Sequence, residues 1–390
     1  MQAHYASRIT ALSESITLAI STLARELKSQ GKDILSFSAG EPDFDTPQVV
    51  KDAAIQAINK GFTKYTAVAG IPELLSAISE KLKRDNHIEY STKEIVVNCG
   101  AKHSLFNVFQ ALIEKDDEVI IPCPYWVTYP ELVTFSNGKN IFIQTTQDNN
   151  FKITKEQLQA AITPKTKMLV LTTPSNPTGM VYSKSELEEI ASVLKDTNIW
   201  LLSDEIYEKL VYDGTFVSPA SLSQDMLERT ITINGLSKAV AMTGWRMGYV
   251  ASKDQKLCRL INTLQGQSIS NINSITQKAA IAGLNGSADK EIKIMLQAFK
   301  ERRDFAYEKL NAIKGLKVSK PDGAFYLFVH CAEISKDSMQ FCKNLLEYAG
   351  VAVVPGIGFG MDGYFRFSFA TDLNSIEKGI QRIKDYCEKL

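Results

Sequence analysis

The chain of 390 residues has no excess of charge of either sign, since 44 lysines and arginines balance 44 aspartates and glutamates. Nucleic acids and anionic membranes both require clustered positive charge, so neither is predicted as a partner. Histidine is scarce as well: the four histidines are His4, His87, His103 and His330. They are spread over the chain, and no metal site is predicted.

Cysteines are few, and none has the CxxC or CxxH spacing of a metal or redox site; they are Cys99, Cys123, Cys258, Cys331, Cys342 and Cys387. The N-terminus lacks a charged segment followed by an apolar core, and no apolar run approaches the length that spans a bilayer. These patterns predict reduced thiols and a cytoplasmic location.

Short apolar runs alternate with amphipathic segments from residue 95 onward, a rhythm typical of a mostly parallel sheet covered by helices on both faces. The seven runs are Ile95–Val97, Glu118–Ile121, Asn140–Ile143, Met168–Leu171, Trp200–Leu202, Thr230–Ile233 and Gly248–Val250. The chain is longer than the roughly 250 to 300 residues that one core supports, so two domains are predicted. We predict an α/β fold with a large domain over residues 46–289 and a seven-stranded sheet.

The C-terminal part has a different pattern. A long amphipathic helix is predicted over residues 291–313, because its apolar residues recur at helical spacing. Further apolar runs follow at residues 324–329, 351–354 and 364–369. We predict that residues 290–390 form a smaller α+β domain, which the N-terminal segment 1–45 joins.

Polar residues follow several of the predicted strands, where ligands of open α/β sheets bind. Gly100, Ala101 and Lys102 open a helix whose N-terminus suits an anion, although an ordinary turn explains the same pattern. Asn176 precedes a proline at the end of another strand, in a loop that is otherwise a plain polar turn.

Two further strands end in groups that carry charge or hydrogen-bonding capacity. Asp204 and Tyr207 follow one strand; a buried carboxylate there needs a cation, while a helix cap followed by a core tyrosine is the alternative. Lys238 and Arg246 follow the next predicted strand, Thr230–Ile233. Most lysines are solvated, but the apolar residues after Lys238 favour partial desolvation, which makes an amine a better nucleophile.

Taken together, these motifs resemble those of class I/II aminotransferases, the fold-type I enzymes that use pyridoxal 5'-phosphate. They are Asn176-Pro177-x-Gly179, Ser203-Asp204-Glu205-x-Tyr207, Ser237-Lys238 and Gly244-Trp245-Arg246-x-Gly248. Ser38 to Phe44, Lys64-Tyr65 and Pro124-Tyr125-Trp126 are similar to the bacterial aspartate aminotransferase subgroup. The resemblance extends from about residue 13 to the C-terminus.

The resemblance implies a role for each residue at the cofactor. Lys238 is the Schiff-base lysine and proton carrier, and Asp204 pairs with the pyridine nitrogen. Asn176 and Tyr207 bind the phenolic oxygen, and Trp126 stacks on the ring. The phosphate is bound by the backbone N–H groups of Gly100, Ala101 and Lys102, by the side chains of Ser237 and Arg246, and by Tyr65 from a neighbouring subunit. The last contact implies a homodimer with shared active sites.

The resemblance also implies how substrates bind. Alternation along the predicted strand at residues 364–369 places Arg366 on one face and Phe365, Phe367 and Phe369 on the other. In the family this arginine grips the substrate α-carboxylate, helped by Gly40, Trp126 and Asn176; an exposed edge-strand arginine is the alternative. Three residues contact the distal carboxylate of acidic substrates in the subgroup: Lys102, Ser15 and Thr17.

The predicted activity is ping-pong transamination from an L-amino acid, with aspartate or glutamate preferred, to oxaloacetate or 2-oxoglutarate. An aromatic or prephenate-type aminotransferase and a pyridoxal-phosphate-dependent C–S lyase are alternatives of the same fold. A noncatalytic regulatory protein is the alternative from another class. The resemblance also implies cis peptide bonds at Cys123-Pro124 and Asn176-Pro177.

Overall fold

A computed structural model describes residues 5–14 and 16–390. Its α-helices, numbered in chain order, are α1 Ser7–Thr10, α2 Ile16–Ser29, α3 Gln48–Asn59, α4 Pro72–Asn86, α5 Ala101–Leu112, α6 Thr128–Phe135, α7 Lys155–Ala161, α8 Lys184–Leu194, α9 Gln224–Arg229, α10 Gln255–Ser268, α11 Ser274–Leu284, α12 Asp289–Asn311, α13 Ser338–Ala349 and α14 Leu373–Cys387. Several begin at side chains that accept hydrogen bonds from the first turn, as at Ser183, Asp254 and Asp372.

The strands form three sheets. They are β1 Leu35–Ser36, β2 Ile95–Cys99, β3 Glu118–Cys123, β4 Lys139–Gln144, β5 Thr166–Thr172, β6 Trp200–Asp204, β7 Thr230–Gly235, β8 Met247–Ala251, β9 Lys317–Val318, β10 Tyr326–His330, β11 Val351–Ala352, β12 Val354–Pro355 and β13 Tyr364–Ser368. The largest sheet has seven strands in the order β2-β8-β7-β6-β5-β3-β4. In this sheet β8 runs antiparallel to the other six strands, which are parallel to one another.

Helices cover both faces of the seven-stranded sheet. Val170 and Leu202 point to one face, where they pack in a core with residues of α5 and α10. Leu169 and Leu201 point to the other and pack with residues of α8. Both faces are therefore apolar, which is why the strands read as continuous apolar runs. The predicted α/β fold with its mostly parallel sheet is confirmed.

A second sheet lies in the C-terminal part, with the order β12-β13-β10-β9. Its residues Tyr326, Phe365 and Phe367 pack in one core with residues of α12, α13 and α14. The N-terminal segment contributes β1, which pairs with β11 in parallel. The bounds at residues 46 and 290 stay a prediction, although α12 begins close to the second.

The cis peptide bonds expected at Cys123-Pro124 and Asn176-Pro177 are both present, and Thr173-Pro174 is a third that the sequence did not indicate.

Within the ranges 5–14 and 16–390, no helix combines the length and the apolar character needed to cross a membrane.

Candidate active site

The functional residues meet at one edge of the seven-stranded sheet. Strands β2, β3, β5, β6 and β7 all end at this edge, and the antiparallel β8 begins there. A cavity of about 240 Å³ lies beside this edge, where ligands of open α/β sheets bind. The sequence-predicted residues that line it are Thr17, Gly40, Ala101, Lys102, Trp126, Asn176, Asp204, Tyr207, Ser237, Lys238, Arg246 and Arg366.

Lys238 lies three residues after the end of β7, and its side chain is directed into the cavity. Its ammonium donates a hydrogen bond to the carbonyl oxygen of Gly40. Burial lowers the pKa of Lys238 to about 8, against a smaller opposing effect of Glu41. An amine with this pKa has a substantial neutral fraction near physiological pH, so it can act as a nucleophile and as a base.

Asp204 ends β6 and is only 2% exposed. Its carboxylate accepts hydrogen bonds from the Tyr129 hydroxyl at 2.7 Å and from the backbone amide of Ile206 at 3.3 Å. Burial raises the pKa of Asp204 to about 6, although these hydrogen bonds and the charge of Lys238 oppose the rise. Among the described residues it forms no salt bridge, so a cationic group of a ligand is the missing partner.

The N-terminus of α5 and the start of β8 form a positive end of the cavity. A Cβ atom on Gly248 would lie 2.3 Å from the amide nitrogen of Ala101, and one on Gly100 would lie 2.5 Å from the Arg246 guanidinium. Only glycine permits these approaches, and Gly100 also has a φ of +81°. The first amides of α5, the guanidinium of Arg246 and the nearby hydroxyl of Ser237 suit a phosphate.

Arg366 lies on β13, an interior strand of the second sheet, and is only 1% exposed. It donates hydrogen bonds to Asn176 Oδ1 at 2.9 Å and to the carbonyl oxygen of Ser38 at 2.8 Å, whereas its Nε has no partner in the described residues. The alternation on β13 is as expected, but the face that carries Arg366 also packs against aromatic rings. The alternative of an exposed edge-strand arginine is wrong.

Tyr207 and Asn176 make contacts other than those the resemblance implies. The Tyr207 hydroxyl is hydrogen-bonded to the Tyr326 hydroxyl at 2.8 Å, and Asn176 accepts from Arg366. Both side chains nevertheless line the cavity. Their expected hydrogen bonds to a cofactor oxygen stay predictions.

Lys102 and Trp126 lie close together in the cavity, with the Lys102 ammonium 4.9 Å from the centre of the Trp126 ring. Lys102 is exposed, and its ammonium forms no salt bridge within the described residues. Thr17, at the start of α2, also lines the cavity, whereas Ser15 lies outside the described residues. Tyr65 is 91% exposed and does not line the cavity of its own chain.

Sequence reasoning missed five residues that line the cavity: Tyr129, Thr172, Ile206, Thr243 and Tyr326. Tyr129 follows the Pro124-Tyr125-Trp126 motif by three residues, and its ring packs edge-on against Trp126 at 5.5 Å. That spacing on the start of a helix was the available signal for Tyr129. Tyr326 lies in the apolar run at residues 324–329, which indicates a buried strand. Nothing in that run indicates that one of its residues lines a ligand site.

The residues of the cavity fit pyridoxal phosphate. The buried Asp204 lacks a cation that a protonated ring nitrogen can supply, the α5 end suits the phosphate, and Lys238 presents a poised amine. A sheet with these groups at its carboxyl edge defines a pyridoxal-phosphate-dependent enzyme of fold-type I.

Comparisons with known proteins agree with this class. The family described as Aminotransferase class I and II matches residues 32–383. An aspartate aminotransferase of Bacillus sp. (strain YM-2) is 48% identical, with 97% of each chain covered. A probable aspartate/prephenate aminotransferase of Rickettsia felis is 46% identical, with 98% of this chain and 96% of the relative covered. The structure of an aspartate aminotransferase of Thermus thermophilus with maleate has a TM-score of 0.95 and 40% identity. The match covers 98% of this chain and 100% of the Thermus chain.

The chain belongs to the class I and II aminotransferase family. It is an enzyme that uses pyridoxal phosphate to transfer an amino group from an amino acid to a 2-oxo acid.

Proposed function

We propose that this aminotransferase acts on aspartate or glutamate, with oxaloacetate or 2-oxoglutarate as acceptor. The observation that carries the proposal is the presence of two cations, Arg366 and Lys102, in the cavity that contains Lys238. An acidic substrate has two carboxylates and can engage both. The Bacillus relative is named for aspartate, and the Thermus structure was solved with maleate, a dicarboxylate.

Arg366 is the proposed partner of the α-carboxylate that every amino acid substrate carries. Its guanidinium is fixed by Asn176 and Ser38, and its Nε still lacks an acceptor in the described residues. A guanidinium binds a carboxylate through two parallel hydrogen bonds, so a fixed fork also fixes the direction of the substrate Cα–H bond. Gly40, Asn176 and Trp126 complete this part of the site.

Bound pyridoxal phosphate supplies an aldehyde that reacts with amines and a ring that accepts the electron pair left when the Cα–H bond breaks. We infer that Asp204 and Tyr207 hold its ring, Trp126 stacks on it, and Asn176 binds its oxygen. The backbone amides of Gly100, Ala101 and Lys102 hold its phosphate, together with the side chains of Ser237 and Arg246. Lys238 would accept the α-proton as general base, a task for which its lowered pKa of about 8 is suitable.

Lys102 is the proposed determinant of the preference for acidic substrates, together with Thr17, which lines the same cavity, and Ser15, which lies outside the described residues. It is an exposed point charge rather than a fixed fork, so substrates without a distal carboxylate can also enter. We therefore propose that aromatic and prephenate-type substrates are tolerated, as the name of the Rickettsia relative suggests.

The test is the substitution Lys102→Met with kcat/KM measured for aspartate and for phenylalanine. Loss of one charge-assisted hydrogen bond predicts a decrease of roughly 10- to 100-fold for aspartate and less than about threefold for phenylalanine. Lys115→Met, at an exposed lysine outside the cavity, is the control and leaves both values unchanged. Equal losses for the two substrates in Lys102→Met would refute the assignment.

We further propose a homodimer in which Tyr65 completes the phosphate site of the partner. The support is the 91% exposure of Tyr65 in a chain whose own cavity it does not line. Ile55 and Ile58 on α3 are exposed as well, and apolar side chains on a surface favour an interface where they form a patch. The six cysteines are all free, and we propose a reducing compartment, the cytoplasm, as the location.

Complementation tests the shared site. Lys238→Ala and Tyr65→Ala each weaken every site of their own homodimers. In the mixed dimer, one site has both Lys238 and Tyr65 intact, so unfolding and refolding the two variants together should restore activity toward about one quarter of the wild-type value if subunits pair at random. Absence of any gain over the separate variants contradicts the shared site.

A further inference from the structure

Tyr326 is a fully buried residue that lines the cavity, yet neither the motifs nor the proposed function give it a role. It begins β10, where it pairs with Ser368 of β13, two residues from Arg366. Its ring also packs against Phe325 at 4.7 Å between ring centres. The backbone and the core therefore fix the ring of Tyr326 before any ligand binds.

The ring of Tyr326 supports Arg366. The central carbon of the guanidinium lies 4.4 Å from the centre of this ring, closer than the 5.2 Å to Phe359. No described carboxylate forms a salt bridge with Arg366, so the π face of Tyr326 is one of the few favourable contacts of a buried cation. Hydrogen bonds to Asn176 and Ser38 fix two nitrogen atoms of the guanidinium, and the ring limits its remaining motion.

The hydroxyl of Tyr326 contacts Tyr207. The two oxygens are 2.8 Å apart, and this is the hydrogen bond that Tyr207 makes through its hydroxyl within the described part of the chain. Burial raises the pKa of Tyr326, and the charge of Arg366 opposes that rise. Burial raises the pKa of Tyr207 further, well above its ordinary value. Either hydroxyl can donate in this bond. A hydroxyl has one hydrogen, so a Tyr207 that donates to the phenolic oxygen of the cofactor, as proposed, accepts from Tyr326.

We propose that Tyr326 is a positioning residue that couples substrate binding at Arg366 to the hydroxyl of Tyr207. Its ring holds the guanidinium in place, and its hydroxyl donates to the Tyr207 oxygen. The hydrogen of Tyr207 is then free to point into the cavity, toward the phenolic oxygen of the cofactor. This inference rests on the proposed roles of Arg366 and Tyr207.

Two substitutions separate the ring from the hydroxyl. Tyr326→Phe removes only the oxygen, and Tyr326→Leu removes both functions. Two measurements on the holoenzyme avoid turnover: the pH titration of the cofactor absorbance, and the Kd of maleate, a dicarboxylate that cannot react. The matched control is Tyr212→Phe, because Tyr212 lies 4.8 Å below another buried arginine, Arg303, and outside the cavity.

Tyr326→Phe is expected to raise the apparent pKa of the cofactor by roughly 0.3 to 1 pH unit, because Tyr207 then loses its donor and supports the ionised oxygen less well. Its Kd for maleate should stay within about twofold of the wild-type value. Tyr326→Leu should raise the cofactor pKa in the same way. It should also raise the Kd of maleate by about 5- to 30-fold, since the guanidinium of Arg366 loses its contact with the aromatic ring. Tyr212→Phe should change neither quantity.

An unchanged cofactor pKa in Tyr326→Phe overturns the role of the hydroxyl, and unchanged maleate binding in Tyr326→Leu overturns the role of the ring. The conservative phenylalanine variant keeps the proposal open to refutation if the leucine variant does not fold. An error in the proposed function has a different signature: a wild-type holoenzyme whose cofactor absorbance does not respond to maleate.

Discussion

Arg303 and Arg366 are two buried arginines in the same half of the molecule, and each lies over a tyrosine ring, Tyr212 at 4.8 Å and Tyr326 at 4.4 Å. Their partners differ. Arg303 forms salt bridges at 2.6 Å with Asp213 and at 2.8 Å with Asp304. Within the described residues, Arg366 forms no salt bridge, and its hydrogen-bond acceptors are the neutral oxygens of Asn176 and Ser38.

The difference teaches which of two similar side chains binds a ligand. A buried charge is costly unless it is paired, and the protein supplies the pair for Arg303 but not for Arg366. Asp204 is the complementary case, a buried carboxylate without a salt bridge in the described residues. A substrate carboxylate and a cofactor cation would neutralise these two charges.

The largest expected effect is on catalysis in Arg366→Met. Loss of a buried, hydrogen-bonded partner of the substrate carboxylate costs about 2 to 5 kcal/mol, so kcat/KM should fall by roughly 30- to 4000-fold. The free energy of unfolding should change little, because removal of an unpaired buried cation offsets the loss of two hydrogen bonds. Steady-state kinetics and denaturant unfolding measure the two quantities.

Arg366→Lys is the matched variant, because it keeps the charge and removes the fork. Its kcat/KM should lie between those of the wild type and Arg366→Met. A methionine variant that keeps wild-type kcat/KM would contradict the role of Arg366 as the carboxylate-binding group.

The opposite result is expected at Arg303. Arg303→Met removes charge-assisted hydrogen bonds to Asp213 and Asp304 and a hydrogen bond to the carbonyl of Pro321. Both carboxylates are half-exposed and stay hydrated, so we expect the free energy of unfolding to fall by about 1 to 3 kcal/mol. Kinetic parameters of the holoenzyme should stay within about twofold of the wild type. A loss of kcat/KM without loss of stability would reverse the comparison.

A smaller effect concerns the ionisation of Lys238 in the apoenzyme. Its pKa of about 8 predicts that acylation of Lys238 is half-maximal near pH 8, whereas exposed lysines, with an ordinary pKa of about 10.4, gain reactivity up to higher pH. The unfolded chain binds this proton between about pH 8 and pH 10.4 and the folded apoenzyme does not, so this group makes the apoenzyme more stable as pH rises through that window. Peptide mapping after labelling at several pH values gives the profile; a Lys238 profile like that of exposed lysines would show that burial does not lower its pKa.

The fold could be predicted because its strands are apolar on both faces. Each of the seven expected runs is a strand of the large sheet. The order of the strands and the antiparallel direction of β8 could not be predicted, since pairing depends on contacts between residues distant in sequence.

The candidate site was predictable where a motif follows a strand, as at Asp204 and Lys238. Tyr129 and Tyr326 were missed because their relevance arises only from tertiary contacts: Tyr129 bonds Asp204 across 75 residues of sequence, and Tyr326 bonds Tyr207 across 119. The burial of Arg366 was also missed, because alternation on a strand shows which side chains share a face and not what covers that face.

The central claim is that Lys238 holds the cofactor in the cavity that contains the unpaired charges of Asp204 and Arg366. Borohydride reduction of the holoenzyme, followed by digestion and mass spectrometry of the peptides, tests it most directly. The account predicts one cofactor mass per chain on the peptide that contains Lys238. A cofactor mass on the Lys102 peptide, or on no lysine of a protein that retained its cofactor before reduction, would contradict it.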